Sequence, residues 1–130
     1  MAADVDAVRA LLYRAVVLDG DWNQGAIHEA LISIESLPES MGGSPERARK
    51  HFTEAVELAD GNSASPYVSL AIGVALAEQD AAEFRDLLEA AIAIDVDAAP
   101  HKRMSNLVTQ RRAATLLERM DDLFLEPLTD

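Results

Sequence analysis

The chain has no cysteine, which excludes disulfides and thiolate-ligated metals without fixing a compartment. Basic residues are scarce: 11 Lys and Arg stand against 23 Asp and Glu, for a formal net charge of −12. Nucleic-acid binding needs a positive face for the phosphates, so nucleic acid is excluded as a partner. Acidity of this size keeps a chain in solution and repels anionic surfaces, but it names no partner. No apolar run reaches the roughly 18 residues of a membrane span. The opening MAADVDAV also lacks the charged-then-apolar pattern of a secretion signal. There is no P-loop, dinucleotide fingerprint, nucleophile elbow or His-Glu-x-x-His. His28, His51 and His101 share no ligand spacing and read as solvated helix histidines. Asp121 and Asp122 are adjacent, so they do not share a helix face. The expectation is a protein that is not an enzyme, with no metal and no cofactor.

What remains is helical. The 130 residues fit one domain, 1–130, large enough to bury its own core. The composition is ordinary for a globular chain, with 49% hydrophobic and 26% charged residues. Five prolines and six glycines fall mostly between periodic segments, as punctuation. The stretch Met41 to Asp60 is the clearest of these segments. Gly42-Gly43 make a turn, Ser44-Pro45 is helix-start chemistry, and Ala48, Phe52, Ala55, Val56 and Ala59 form one apolar stripe.

That pattern returns. Ala48, Phe52 and Ala55 align with Val8, Leu12 and Ala15, and again with Phe84, Leu88 and Ala91. The intervals are near the period of about 34 residues of tetratricopeptide repeats. Ile27, Ala30, Leu31 and Ile34 likewise align with Tyr67, Leu70, Ala71 and Val74, as first helices of such repeats do. The fold expected is an all-α, tetratricopeptide-like helical repeat solenoid of about six helices. Asp4 is expected to cap the first helix, and Asp21 or Asn23 the second. Ser65-Pro66 opens the fourth, Asp80 with Glu83 the fifth, and the sixth spans about His101 to Leu125. Phe52 sits centrally in its stripe, so truncating it to alanine is expected to open a core cavity. In the sixth helix, Met104, Leu107 and Val108 point one way, while Leu116, Met120 and Phe124 point nearly opposite. The stripe therefore changes sides near Arg111. The first set is expected on the fifth helix, the second on an earlier helix or a second copy of the chain. Arg111 falls on the first stripe, where a guanidinium would need a carboxylate.

Several residues are candidates for ligand or partner binding. Trp22 beside Asn23 reads either as a stacking surface or as a staple on the next turn. Gly42-Gly43 before a helix resembles a phosphate cradle, but without a following lysine a tight turn fits better. Tyr67 fills core by alignment, although its hydroxyl needs a partner. Arg111 and Arg112 suit an anion or an internal salt bridge.

LDGDWNQGAIHEAL, LPESMGG, PERARKHFTEAVELADG and QRRAATLLERMDDLF, in that order, resemble the T component of tripartite ATP-independent periplasmic (TRAP) transporters. The resemblance covers about Ala10 to Leu125. Matching positions are Met41, Gly42, Gly43, Pro45, Phe52, Gln110, Arg111, Arg112 and Phe124. It implies a non-catalytic tetratricopeptide-type protein that associates with the transporter's solute-binding protein. It also implies a periplasmic location, with a lipid anchor in the full-length protein. No acylatable cysteine stands near Met1, so anchoring and location rest on the resemblance alone. A chain that begins on the second helix of a repeat leaves apolar surface open, which favours a homo-oligomer. The alternatives are a cytoplasmic repeat adaptor for a peptide or protein, and a carrier of a small apolar ligand.

Overall fold

Two helix starts in this protein are capped by short polar side chains. Ser44 accepts the Arg47 N–H at 3.2 Å and is followed by Pro45 at the first helical position. Asp80 does the same for the Glu83 N–H at 3.0 Å. The computed structural model describes residues 2–125. Among them are seven α-helices and no strand: α1 (Ala2–Asp19), α2 (Ala26–Glu35), α3 (Pro45–Leu58), α4 (Ser65–Leu70), α5 (Ala81–Ala93), α6 (Arg103–Glu118) and α7 (Met120–Leu123). α4 continues into a π turn, Ala71–Ala75, in which the Leu76 N–H reaches the Ala71 carbonyl at 2.8 Å.

Three helix starts differ from expectation. Asp4 lies inside the first turn of α1, which begins at Ala2. Neither Asp21 nor Asn23 caps α2. Asn23, Gln24 and Gly25 are all left-handed, and Gly25, at φ 96°, is the residue before α2. A Cβ at Gly25 would press on the Ala55 backbone and on Leu58, so both conformation and space require glycine there. Ser65 opens α4 without capping it; its hydroxyl donates to Glu29 of α2 instead.

Consecutive helices pack pairwise from α1 to α6. α2 also touches α4, and α4 touches α6, whereas α1, α3 and α5 make no comparable contacts among themselves. The array is therefore tightest along its α2–α4–α6 side. One core cluster holds Phe84, Leu88 and Ala91 of α5 with Val68, Ala71, Ala75, Ala113 and Met120. A second holds Ile32, Ala48, Leu70 and Val74. The recurrent small-large-small stripe thus faces inward on α3 and α5; in its first occurrence Leu12 and Ala15 are half-buried and Val8 is 44% exposed. Phe52 is half-buried at the flank of the second cluster, with its ring edge-on to Tyr67 at 5.2 Å.

The last helix overturns the expected change of sides. Met104, Leu107 and Val108 do not pack on α5; Met104 is 73% and Val108 63% exposed. The inward stripe is Asn106, Gln110, Ala113, Leu117 and Met120, spaced by fours and threes along one face. Two polar residues continue what counting apolar residues alone interrupts. Asn106 is 2% exposed; its Oδ1 accepts the Ala64 N–H at 2.9 Å and its Nδ2 donates to the Asn62 carbonyl at 2.8 Å. Gln110 Nε2 donates to the carbonyls of Ala91, Ile92 and Ile94 at 3.1, 3.1 and 2.8 Å, closing the C-terminal end of α5. Leu116, Met120 and Phe124 are packed within the chain, with Phe124 edge-on to Phe84 at 5.0 Å. That face is intramolecular core. Arg111 lies on the exposed side, so it has no buried charge to balance.

Phe84 is fully buried, so Phe84→Ala should cost about 3–5 kcal/mol. Phe52→Ala should cost less because half-burial leaves less area to lose. Urea denaturation of the two variants checks the order, and a larger loss at Phe52 would contradict this packing.

Candidate functional site

The segment ALISIESL places a single carboxylate, Glu35, at the end of an otherwise apolar helix face. His28, Leu31, Ile32 and Glu35 recur at helical spacing, and all four are buried. Glu35 itself has no exposed surface. Its Oε1 accepts from Arg47 at 3.0 Å and its Oε2 accepts from the Tyr13 hydroxyl at 2.6 Å. Arg9 Nε approaches Oε2 to 3.7 Å and is the one buried side-chain polar atom without a hydrogen bond among the described residues. The Glu35 main-chain carbonyl accepts the Ser44 N–H at 2.8 Å. Arg9 also donates to the Met41 carbonyl at 3.0 Å, and Arg47 to the Gly42 carbonyl at 2.7 Å. One carboxylate therefore joins α1, α2, α3 and the turn between α2 and α3.

A second chain of hydrogen bonds leads away from it. The Tyr13 hydroxyl gives its proton to Glu35, so its oxygen accepts from His51 Nε2 at 2.9 Å. His51 Nδ1 is then an acceptor, and His28 Nδ1 donates to it at 2.9 Å. His28 and His51 are 7% and 6% exposed, which corrects the expectation of solvated histidines. His101 is exposed and lies 3.2 Å from the Gln24 side-chain oxygen. Burial, and then the facing His28, push the His51 pKa down. Burial raises the Glu35 pKa, but the hydrogen bonds from Arg47 and Tyr13 and the charges of Arg47 and Arg9 outweigh it and hold the carboxyl below its ordinary value. Burial and the Glu35 carboxylate push the Tyr13 hydroxyl up to about 12. The hydrogen bond to Glu35 raises Arg47 despite the opposing effect of burial.

On the other face of α2 is a groove. Ala26, Glu29, Ala30 and Ser33 repeat the same spacing two residues earlier, about 200° around the helix. Across from them stand Val68, Ser69, Ile72 and Gly73 of α4 and its π turn. The space between forms two adjoining hollows of about 270 and 320 Å³ that share Ser33 and Ser69. Small residues make the hollow: a Cβ on Gly73 would collide with the Ser36 hydroxyl. Arg112 of α6 lines the far end. Among the described residues no carboxylate pairs with Arg112, although the chain holds 23 acidic residues.

The candidate residues are scattered over this frame. Trp22 is 56% exposed, and Asn23 is exposed beside it in the left-handed turn. Met41 and Gly42 meet the arginines of the carboxylate hub through their carbonyls, while the Gly43 N–H donates to the Pro38 carbonyl and a Cβ on Gly43 would overlap the Leu37 carbonyl. Tyr67 packs on Phe52, and Gln110 bonds the end of α5. Arg111 is exposed and outside the groove; Arg112 is the one candidate that lines it. Sequence reasoning missed Arg9, Tyr13, Glu35 and Arg47, and it missed Ser33, Ser36 and Ser69. A lone acid inside an apolar run was the available signal for the hub. Ser33 of α2 and Ser36 just after it, three residues apart, were the signal for the groove.

A helical array with a polar hub on one side and an open groove on the other defines a scaffold that presents a surface. The profile of the TRAP transporter T-component family matches residues 1–124, and the chain belongs to that family. It is a family of transporter accessory components rather than of enzymes. The chain is also similar to an uncharacterized protein of Treponema pallidum (strain Nichols), 28% identical over 123 residues. The aligned stretch covers 94% of this chain and 38% of that relative, so the chain spans well under half of the relative's length. No helix of the described residues is long and apolar enough to cross a membrane.

Removing one partner of a buried ion pair strands the other. Glu35→Gln strands Arg9, whose side chain is 15% exposed, while Arg47 at 48% keeps its water, so the change should cost about 1–3 kcal/mol in denaturant melts, and an unchanged midpoint would refute the hub. The pH dependence has a defined sign. His51 and Glu35 titrate lower in the folded state, so the unfolded chain binds more protons below about 6.5 and again below about 4.5. Their contribution is complete above those values and is lost as pH falls. Tyr13 is raised from 10.0 to about 12, so its contribution is present below 10 and is lost as pH rises toward 12. Melting temperatures of wild type and His51→Gln should diverge at pH 7–9 and converge as pH falls below about 6. A difference independent of pH would contradict this assignment.

Proposed function

We infer that this chain is a non-catalytic, helical-repeat binding module of a TRAP-type uptake system that associates with the periplasmic solute-binding protein. The family match over residues 1–124 is the observation that carries the reading. The recurrence of the inward stripe on α3 and α5, and the contact series α2–α4–α6, support the repeat architecture. A periplasmic location goes with the family. In a repeat array the tight side is the natural binding face, and here it carries the groove.

Self-association has its own observation. Leu11 and Leu18 are 70% and 69% exposed, and with Val8 they form an outward stripe on α1. Leu116 and Met120 are core and do not serve as that interface.

Cross-linking of the full-length protein in its source cells, followed by mass spectrometry, tests the main reading. A TRAP solute-binding protein among the cross-linked partners is expected; recovery of other proteins without any TRAP component would overturn it. Native mass spectrometry of wild type and Leu11→Asp tests the second. Loss of a multimer in the variant is expected, and a monomeric wild type would end that reading.

A further inference from the structure

We propose that the α2–α4–α6 groove captures the carboxy-terminal segment of a protein partner, with Arg112 binding the terminal carboxylate. The inference rests on the reading of this chain as a partner-binding module, and it names the surface and the chemistry that surface recognises.

Four observations lead to it. First, the groove is long and shallow rather than enclosed. Ala26 to Ser36 spans ten helical steps, or about 15 Å. At about 3.3 Å per residue, that holds four to five residues of extended chain. Second, its walls offer hydroxyls and little bulk. Ser33, exposed, and Ser69, half-buried, sit where the two hollows meet, and neither hydroxyl has a protein partner among the described residues. Unused hydroxyls over a small-residue floor suit a main chain, whose N–H and C=O groups must be paired wherever they leave water. Ile72, half-buried, adds apolar contact for a side chain.

Third, the groove is electrically polar along its length. Glu29 lies at the α2 N-terminal end and Arg112 at the other. Glu29 is engaged by the Ser65 hydroxyl, whereas Arg112 has no carboxylate within ion-pair distance among the described residues. A planar guanidinium presents parallel donors matched to a carboxylate. A peptide entering with its terminus toward Arg112 meets the positive end with its negative charge. An internal segment brings no charge to the exposed guanidinium, which then keeps its water. Fourth, the π turn Ala71–Ala75 places Ile72 and Gly73 at the Arg112 end, and Gly73 lets α4 close against Ser36 there. Turns of this kind recur at binding sites because they re-aim the residues around them.

The probe is a degenerate library of N-acetylated pentapeptides, made once with free carboxylates and once as carboxy-terminal amides. Capture on immobilised protein is read by mass spectrometry. Free-carboxylate peptides should be retained over amides, and Arg112→Gln should reduce that retention about tenfold or more, as expected for losing a charged hydrogen bond. Arg112→Lys should restore part of it. Arg111→Gln changes the same net charge outside the groove and should leave retention unaltered. Equal retention of amides, equal loss in the Arg111 and Arg112 variants, or displacement of all peptides by millimolar succinate would each overturn the proposal. Cross-linking of Arg112→Gln to the transporter partner separates the two readings. A partner retained at wild-type level sinks the groove proposal and leaves the proposed function standing, whereas a wild type that recovers no TRAP component sinks the function itself.

Discussion

A fully buried carboxylate is the constraint on which the rest of this structure depends. Glu35 has left water, and an isolated ion in that position would cost several kcal/mol. The cost is offset only when Arg47 from α3 and Tyr13 and Arg9 from α1 arrive together. The same residue's main-chain carbonyl holds Ser44, the cap of α3, so the start of α3 is tied to the end of α2. α1 depends on this most. Its outer stripe of Leu11 and Leu18 buries little, and Arg9 and Tyr13 supply its specific contacts with the neighbouring elements.

The hub also explains why the most recognisable stretch of sequence reads as it does. In Met-Gly-Gly-Ser-Pro, the Met41 carbonyl receives Arg9 and the Gly42 carbonyl receives Arg47, while Gly43 passes too close to Leu37 for any side chain. Ser44 and Pro45 then start α3. Gln110 likewise terminates α5, and Phe124 packs on Phe84. These matched positions are framework. Arg111 and Arg112 are both exposed and have no ion pair among the described residues; Arg112 differs in lining the groove.

The all-α fold and the inward stripes of α3 and α5 were legible because apolar residues at helical spacing carry that information directly; the expected sixth helix is divided into α6 and α7 at Arg119. Family membership was legible in the ordered motifs. Two things were not. The hub is a set of long-range pairings between Arg9, Tyr13, Glu35, Arg47, His28 and His51, and no local spacing reveals which polar residues meet. The face of α6 was misjudged because Asn106 and Gln110 are buried for their hydrogen bonds, while Met104 and Val108 are left outside. Counting apolar residues alone inverts that face. The groove was hidden for a related reason: it consists of what Ser33, Ser69 and Gly73 do not fill. α2 serves both regions, with His28, Leu31, Ile32 and Glu35 inward and Ala26, Glu29, Ala30 and Ser33 outward.

If Glu35 is what docks α1 and aligns α2, its loss should be felt unevenly along the chain. Hydrogen exchange of backbone amides in wild type and Glu35→Gln at neutral pH measures this directly. The amides of α1 and the start of α3 should lose protection, while those of α5 and α6, packed around Phe84 and Leu88, keep theirs. Uniform loss across all helices, or unchanged protection in α1, would contradict the central place given to this carboxylate.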